Sequence, residues 1–202
     1  MSTEKRTSKN GKLVLLLGPS GVGKSVILRA LRAKHPEWHF PRSATTRVRR
    51  PGERNELYHF VTDAEFDALL QEGKLLEWAR VHQGPRYGTF ISEIVPAIEQ
   101  GKIVVREVDV QGFESIRTHA LFGGSSPTYH LESIFILPES KQQLIKRIRR
   151  RAPIVEEELV RRIASMEKEL EYAALCDARV VNTEGQLAQT VEEVERKVSK
   201  DQ

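Results

Sequence analysis

The sequence lacks several features that define whole classes of protein. Cys176 is the only cysteine, which excludes an internal disulfide and a cysteine-based metal site. The longest early apolar run, Leu13–Leu17, is far shorter than the roughly 20 residues that a membrane-spanning helix needs. The polar start of the chain contains no secretory signal core, and we find neither internal repeats nor low-complexity tracts. These absences predict a protein of the reducing cytoplasm with no membrane partner.

Aromatic residues are also few, at 6%, but the composition is that of a folded protein. The 202 residues are 39% apolar and 30% charged, which suits one domain, or one domain with a small inserted lobe. Lysine and arginine outnumber the acidic residues by only 32 to 28, a net charge of +4. We predict no nucleic-acid partner, because no signature of a nucleic-acid-binding fold accompanies this small excess. The oligomeric state stays open between a monomer and a homo-oligomer.

Short apolar segments alternate with helical patterns, which predicts a three-layer α/β fold around a parallel sheet. Residues 1–10 are predicted to be a flexible tail, and the arginine-rich segment Phe40–Val61 an irregular inserted lobe. The predicted strands are Lys12–Leu17, Leu75–Val81, Ile103–Val108, Ser133–Leu137 and Ala178–Val181. The predicted helices are Lys24–Lys34, a helix from a Thr62–Glu65 capping box to Gly73, Ser92–Gln100, Lys141–Arg151, Val155–Ala173 and Gln186–Lys200.

A glycine-rich segment between the first strand and the first helix fits the phosphate-loop pattern G-x-x-x-x-G-K-[ST] at every fixed position. Its residues are Gly18, Pro19, Ser20, Gly21, Val22, Gly23, Lys24 and Ser25. Glycines let backbone N–H groups surround a phosphate, and the start of the following helix adds a positive dipole end. Lys24 is expected to reach the β- and γ-phosphates and Ser25 to bind Mg²⁺. The alternative is a plain glycine-rich turn from strand to helix, and the loop by itself names no reaction.

Further motifs follow the phosphate loop. The run from Ser43 to Glu53 reads SATTRVRRPGE, and later segments read LEWA at 76–79, YGT at 87–89 and DVQG at 109–112. With the phosphate loop, these motifs resemble the guanylate kinase family over nearly the whole chain. The resemblance implies a P-loop nucleoside-monophosphate-kinase fold with a core at 11–38, 92–140 and 164–202, a GMP-binding lobe at about 39–91 and a mobile lid at about 141–163.

The resemblance also implies an activity and a set of site residues. Members of the family transfer the γ-phosphate of ATP to GMP, and dGMP is a further expected acceptor, with ATP as co-substrate and Mg²⁺ as metal. The transfer is in-line, without a covalent intermediate. The residues implied for the GMP phosphate are Ser43, Arg47, Arg50, Tyr58 and Tyr87, and those for guanine are Glu77, Thr89 and Asp109. Arg147, Arg151 and Arg162 are implied for the transferred phosphate, with Lys24 and Arg50 also implied to be catalytic, and Asn182 is implied to lie near adenine.

The chemistry of the residues agrees with these roles. Guanine presents N1–H and N2–H₂ donors beside an O6 acceptor, so a carboxylate such as Glu77 can accept from both nitrogens while the Thr89 hydroxyl donates to O6. Adenine has no N1–H and would present an acceptor to that carboxylate. Arg47 and Arg50 have planar guanidinium groups that match pairs of phosphate oxygens.

Alternative roles remain for several of these residues. Arg47 and Arg50 fit a solvated surface, Tyr58 a lobe core, Glu77 a surface carboxylate and Asn182 a turn at a strand end. Glu107 and Asp109 flank Val108 on a predicted strand, which puts both on one face, and one of them is expected to order the water shell of Mg²⁺. The basic run Lys146–Arg151 also fits a nucleic-acid patch, although it lacks interleaved aromatic residues. The six histidines show no metal-ligand spacing.

The chain departs from the family pattern at four places. Arg150 and Ala152 stand where family lids usually have glycine, and Glu107 stands where the family often has aspartate. The segment between Glu53 and Tyr58 is one residue short, and the one between Glu77 and Tyr87 is one residue long, with Pro85-Arg86 before the tyrosine. The competing hypotheses are a P-loop kinase for a sugar phosphate such as ribose bisphosphate, a non-catalytic guanylate-kinase-like module and a basic nucleic-acid-binding protein.

Overall fold

A computed structural model describes residues 11–53, 57–80, 84–151 and 155–199, with the backbone alone for Arg151. The strands are β1 (Lys12–Leu17), β2 (Ser43–Thr45), β3 (Tyr58–Phe60), β4 (Leu75–Arg80), β5 (Arg86–Phe90), β6 (Ile103–Glu107), β7 (His130–Pro138) and β8 (Ala178–Asn182). The helices are α1 (Lys24–Lys34), α2 (Asp63–Gln71), α3 (Ile91–Glu99), α4 (Val110–Thr118), α5 (Lys141–Arg151), α6 (Glu156–Glu171) and α7 (Leu187–Val198), with a 3₁₀ turn at Tyr172–Leu175.

Four parallel strands form the core sheet in the order β6-β1-β7-β8. Every residue of β1 is buried, as expected of a strand covered on both faces. Successive side chains alternate between the faces, so Val14 and Leu16 belong to one apolar cluster and Leu13, Leu15 and Leu17 to the other. The continuous apolar run of β1 is therefore what places it at the centre of the sheet.

The helices cover this sheet on both faces. α1, α5, α6 and α7 bury side chains such as Ile27, Leu144 and Val194 in the first cluster, and α3 and α4 bury Ile94 and Phe113 in the second. The predicted three-layer α/β fold with a parallel central sheet is thus confirmed. Among the described residues, no helix is long and apolar enough to cross a membrane.

A second sheet lies within residues 43–90, in the order β3-β2-β5-β4. β2 pairs with β3 in parallel and with β5 in antiparallel orientation, and β4 pairs with β5 in antiparallel orientation. The guanidinium of Arg86 joins this sheet to α2, because it binds the carboxylates of Asp63 at 2.7 Å and Asp67 at 2.5 Å. The sequence-based expectation of an irregular lobe at Phe40–Val61 is wrong in this respect, since that segment contributes two short paired strands.

Most predicted elements are confirmed to within a residue or two. The capping box is present, with the Thr62 hydroxyl accepting from the Glu65 amide at 3.2 Å and the Thr62 amide donating to the Glu65 carboxylate at 2.7 Å. α4 was not predicted, and Asp109 is the N-cap of this helix rather than a strand residue. Val81 and the lid positions Ala152 and Pro153 lie outside the described residues.

Candidate active site

The phosphate loop connects β1 to α1, at the carboxyl end of a central strand. Two of its glycines are required by both conformation and space. Gly18 has φ +138, and a Cβ there would lie 2.4 Å from the carbonyl oxygen of Ile136. Gly23 has φ +110, and a Cβ there would lie 2.5 Å from Nδ2 of Asn182. The glycine spacing of the motif therefore follows from the way the loop is packed against β7 and β8.

Lys24 lies across the loop that precedes it. Its ammonium donates to the carbonyl oxygens of Gly18 at 2.5 Å and Pro19 at 3.3 Å. Burial lowers the pKa of Lys24, and the nearby carboxylates of Glu107, Glu169 and Asp109 oppose that effect. A phosphate bound in the loop would add negative charge beside this buried ammonium and favour its charged form.

Ser25 and Glu107 meet at the mouth of the loop. The Ser25 hydroxyl lies 3.0 and 2.9 Å from the two carboxylate oxygens of Glu107, at the end of β6. Asp109 instead caps α4, accepting from the Gly112 amide at 2.8 Å. The expectation that Glu107 and Asp109 share one strand face is therefore wrong, because the chain turns into a helix at Asp109. Glu107 is the carboxylate in contact with the loop.

A cavity of about 690 Å³ lies between the phosphate loop and the second sheet. It brings together most of the predicted site residues from both sides: Ser20, Gly21, Gly23, Lys24, Ser25, Ser43, Tyr58, Glu77, Tyr87, Asp109 and Arg147. Residues of the core strand β6 and the turn after it also line the cavity. Two groups of predicted residues, one for each end of a phosphoryl transfer, thus face a single space.

Glu77 is the carboxylate of the second sheet that lines this cavity. The alternative that it is a surface carboxylate is wrong, because its side chain is only 7% exposed. It lies opposite Thr89 in the β4–β5 pairing, and the Thr89 hydroxyl donates to its Oε1. Oε2 faces the first turn of α4, 3.1 Å from where a Cβ on Gly112 would lie. A buried carboxylate held in this way is suited to accept from a ligand.

Arg106 is a site residue that the sequence reasoning missed. It belongs to β6, its side chain is 9% exposed, and its Nη2 donates to Oε1 of Glu77 at 3.3 Å. Its Nη1 donates to the Ser43 hydroxyl at 3.2 Å. The available signal was an arginine directly after the apolar residues of a buried strand, a position where a charge requires a partner.

Tyr58 and Tyr87 form the aromatic wall of the cavity. Their rings meet edge to face, with centroids 5.9 Å apart, and burial raises the pKa of Tyr58. Both hydroxyl-bearing side chains are half-buried rather than fully enclosed in a lobe core. They can therefore serve packing and ligand contact together.

Arg47 and Arg50 do not line the cavity. Arg47 pairs with Glu53 at 2.6 Å and lies over the ring of Tyr58, 5.3 Å from its centroid. The guanidinium of Arg47 and the backbone amide of Arg50 hold the pKa of Glu53 below its usual value. Arg50 is exposed. Glu53 thus ties the two arginines into one turn beside the tyrosine wall.

The predicted lid arginines are dispersed. Arg147 on α5 donates to the carbonyl oxygen of Val22 at 3.3 Å, which keeps it at the phosphate loop. Arg162 on α6 binds Glu158 one turn earlier at 2.9 Å and does not line the cavity. The side chain of Arg151 lies outside the described residues.

Asn182 ends β8 behind the loop. Its amide nitrogen donates to the carbonyl oxygen of Val22 at 2.6 Å, and its oxygen accepts from the Thr190 hydroxyl at 3.3 Å. It also lines a smaller cavity of about 280 Å³, next to Gly21 and Arg147. Asn182 therefore braces the loop and does not form a turn.

Comparisons with known proteins agree with this arrangement. The family model described as guanylate kinase matches residues 10–201. The chain is 40% identical over 188 residues to the guanylate kinase of Trichormus variabilis, covering 93% of this chain and 90% of that one. It is 42% identical over 177 residues to that of Thermosynechococcus vestitus, covering 87% and 88%.

The fold comparison gives the same result. A crystal structure of the guanylate kinase from Anaplasma phagocytophilum aligns with a TM-score of 0.69 at 24% identity, over 96% of this chain and 87% of that one. At this identity the likeness shows the fold, and the sequence matches show the family. The chain therefore belongs to the guanylate kinase family, the enzymes that transfer a phosphoryl group from ATP to GMP.

Proposed function

We propose that this protein phosphorylates GMP, and dGMP as a second acceptor, with ATP and Mg²⁺, using the cavity between the phosphate loop and the second sheet. The observation that carries the proposal is that a complete phosphate loop and a buried, hydrogen-bonded Glu77 carboxylate open onto the same 690 Å³ space. The site for the phosphate donor and a site for a base with adjacent N–H groups therefore share one cavity. A non-nucleotide phosphate has no base N–H groups to offer to that carboxylate.

The donor end consists of the loop Gly18–Ser25. Its backbone N–H groups and the start of α1 would cradle the ATP phosphates, with the Lys24 ammonium on the β- and γ-phosphates. Asn182 and the smaller cavity beside it are the proposed neighbourhood of adenine. This end of the cavity suits the triphosphate of ATP, because the loop N–H groups, the start of α1 and the Lys24 ammonium all present positive charge to it.

Mg²⁺ fits the pair formed by Ser25 and Glu107. A hydroxyl and a carboxylate in contact offer the hard oxygen donors that this ion prefers, directly or through its water shell. When bound, the ion would neutralise phosphate charge and orient the triphosphate. Of the two carboxylates considered from the sequence, Glu107 is the one proposed for this role.

The acceptor end divides into a phosphate part and a base part. Ser43, Arg47, Arg50, Tyr58 and Tyr87 are proposed for the GMP phosphate, and Glu77, Thr89 and Asp109 for guanine. Arg47 would reach the phosphate by exchanging its Glu53 contact for phosphate oxygens, which match its planar guanidinium in pairs. Arg50 contacts Glu53 through its backbone amide, so its guanidinium can turn to the phosphate without giving up that contact. Thr89 donates to Glu77 in this structure, so it would serve the guanine site by holding that carboxylate, and its expected contact to O6 would compete with this hydrogen bond.

The reaction proposed is an in-line transfer driven by positioning and charge neutralisation. The GMP phosphate is already a nucleophile, so no side chain has to remove a proton. Lys24 and Arg147 at the loop, with Arg151 and Arg162 on the lid and Arg50 at the acceptor, would stabilise the negative charge of the transferred group. The cytoplasmic location and the lid boundaries remain predictions.

The test is an ADP-release assay with GMP, dGMP, IMP and AMP on the wild type and on Glu77→Gln. The amide places an N–H against a guanine N–H, so we expect kcat/KM for GMP to fall on the order of 100-fold or more while KM for ATP holds. Glu72→Gln changes an exposed carboxylate of the same lobe and serves as the control. Wild-type turnover of AMP at the GMP rate, or equal GMP efficiency in both proteins, would reject the proposal.

A further inference from the structure

Arg106 is a buried cation at the boundary of the two sheets. It extends from the core strand β6 and donates to Ser43 on β2 and to Glu77 on β4. Its Nε is buried and has no hydrogen-bond partner among the described residues. A guanidinium has five N–H donors, so the protein leaves part of this group's hydrogen-bonding capacity unused, next to the cavity that it lines.

The surroundings of Glu77 are asymmetric. Both donors, the Thr89 hydroxyl and the Arg106 guanidinium, contact Oε1. On the Oε2 side lies the first turn of α4, where Asp109 contributes an acceptor carboxylate. Along this wall the protein therefore presents donors, then the Glu77 acceptor, then a further acceptor.

The purine edge of GMP has the complementary order. Its O6 accepts, N1–H donates and N2–H₂ donates, so O6 belongs on the Oε1 side with the donors. Thr89 has one hydroxyl hydrogen, and Glu77 accepts it. If that hydrogen turned to O6, two acceptor oxygens would be left in close contact. Nη2 of Arg106 carries two N–H groups at the same place, and its contact with Oε1 uses one of them.

We propose that Arg106 is a specificity-determining residue that donates to the O6 carbonyl of the purine acceptor while it holds the Glu77 carboxylate. The proposal rests on the proposed guanine pocket around Glu77. A guanidinium is the side chain best matched to a guanine carbonyl edge, as in the reading of guanine by arginine in DNA. The guanidinium also disfavours the binding of adenine, because the 6-amino group of adenine would point an N–H donor at a cation.

Arg106 is proposed to act on O6 of the purine and Glu77 on its N–H groups. Acceptor analogues that change one of these groups at a time test the two contacts separately. IMP keeps O6 and N1–H but lacks the 2-amino group. The 5′-monophosphate of 6-thioguanosine keeps both N–H donors but replaces O6 with sulfur, a weaker acceptor. A residue that acts on O6 should change the preference for GMP over the thio analogue and leave the preference for GMP over IMP in place.

The experiment measures kcat/KM for the three acceptors in the wild type, Arg106→Leu and Arg106→Lys, with KM for ATP in parallel. We expect Arg106→Leu to lower GMP efficiency on the order of 10- to 100-fold, as for the loss of a hydrogen bond from a charged group. The preference for GMP over its thio analogue should collapse, and the preference for GMP over IMP should stay within about threefold. Arg106→Lys should fall between the two proteins, since it keeps the charge without the planar donor group.

Arg80→Leu is the matched control, because this exposed arginine on β4 does not line the cavity and its side chain donates to the carbonyl oxygen of Gly84 at 3.3 Å. Unchanged GMP efficiency in Arg106→Leu would overturn the proposal. Loss of the GMP-over-IMP preference would also overturn it, since Arg106 would then act only by placing Glu77. If Arg106→Leu does not fold, the same ratios in Arg106→Lys decide. A wild type inactive on GMP would instead reject the proposed function.

Discussion

Replacing Asn182 tests whether a buried amide holds the phosphate loop in its binding conformation. In Asn182→Ala, the carbonyl oxygen of Val22 loses the amide that now donates to it at 2.6 Å. Thr190 is less affected, because its hydroxyl also donates to the carbonyl oxygen of Gln186 at 3.1 Å. The main loss is therefore one hydrogen bond to a buried backbone acceptor.

The expected loss of stability in Asn182→Ala follows from the loss of this one hydrogen bond. The Arg147 guanidinium still donates to the same carbonyl oxygen at 3.3 Å, so the loss is that of one hydrogen bond, about 0.5–1.5 kcal/mol, which in a chain of this size lowers Tm by about 1–6 °C. Thermal and urea unfolding measure this loss. Because the carbonyl that loses this hydrogen bond belongs to the phosphate loop itself, KM for ATP should rise more than KM for GMP.

Val181→Ala is the control, since this side chain is 46% exposed on the same strand. Asn182→Asp should be worse than alanine, because it puts a carboxylate oxygen against the carbonyl oxygen of Val22. Wild-type stability together with wild-type KM for ATP in Asn182→Ala would refute the bracing role.

Three further changes test other parts of the structure. Glu107→Gln should raise the Mg²⁺ concentration needed for half-maximal activity several-fold, and an unchanged Mg²⁺ titration would remove Glu107 from the metal site. Arg86→Met should lower the free energy of unfolding by about 1–3 kcal/mol, seen in urea unfolding, because the hydrogen bonds between the second sheet and α2 are lost. Burial alone would raise the pKa of Glu93, but hydrogen bonds from His59 and Arg42 hold it below the usual 4.5. That stabilisation is present above 4.5 and lost as pH falls through the folded pKa, so Glu93→Gln should flatten the pH dependence of stability below 4.5, and an unchanged acid limb would contradict this.

The elements that the sequence predicted well are those with strong local signals. β1 is an uninterrupted apolar run, and α2 begins at a complete capping box. α4 was missed because Gly112 lies inside it and the preceding motif continues the pattern of β6. β2 and β3 have only three residues each, too few for a period of two to be recognised. Their pairing depends on partners distant in the sequence.

The part of the site that is formed by one short segment of the chain was predictable from the sequence. The phosphate loop is local, and its glycines, lysine and serine follow from one motif. The role of Arg106 depends on Ser43 and Glu77, which lie 63 and 29 positions away, so only the packing of the two sheets discloses it. Asn182 likewise shows its function only through its contact with a loop 160 positions away.

The walls of the acceptor cavity have a mechanical consequence. Glu77 and Thr89 belong to the second sheet, whereas Arg106 and Asp109 belong to the core sheet and the helix after it. In the proposed guanine pocket, a purine bound to both walls at once would fix the angle between the two sheets, and with it the distance from its own phosphate to the phosphate loop. Fit at the base would then set the alignment of the reacting atoms, so that a mismatched acceptor is expected to lose turnover as well as affinity.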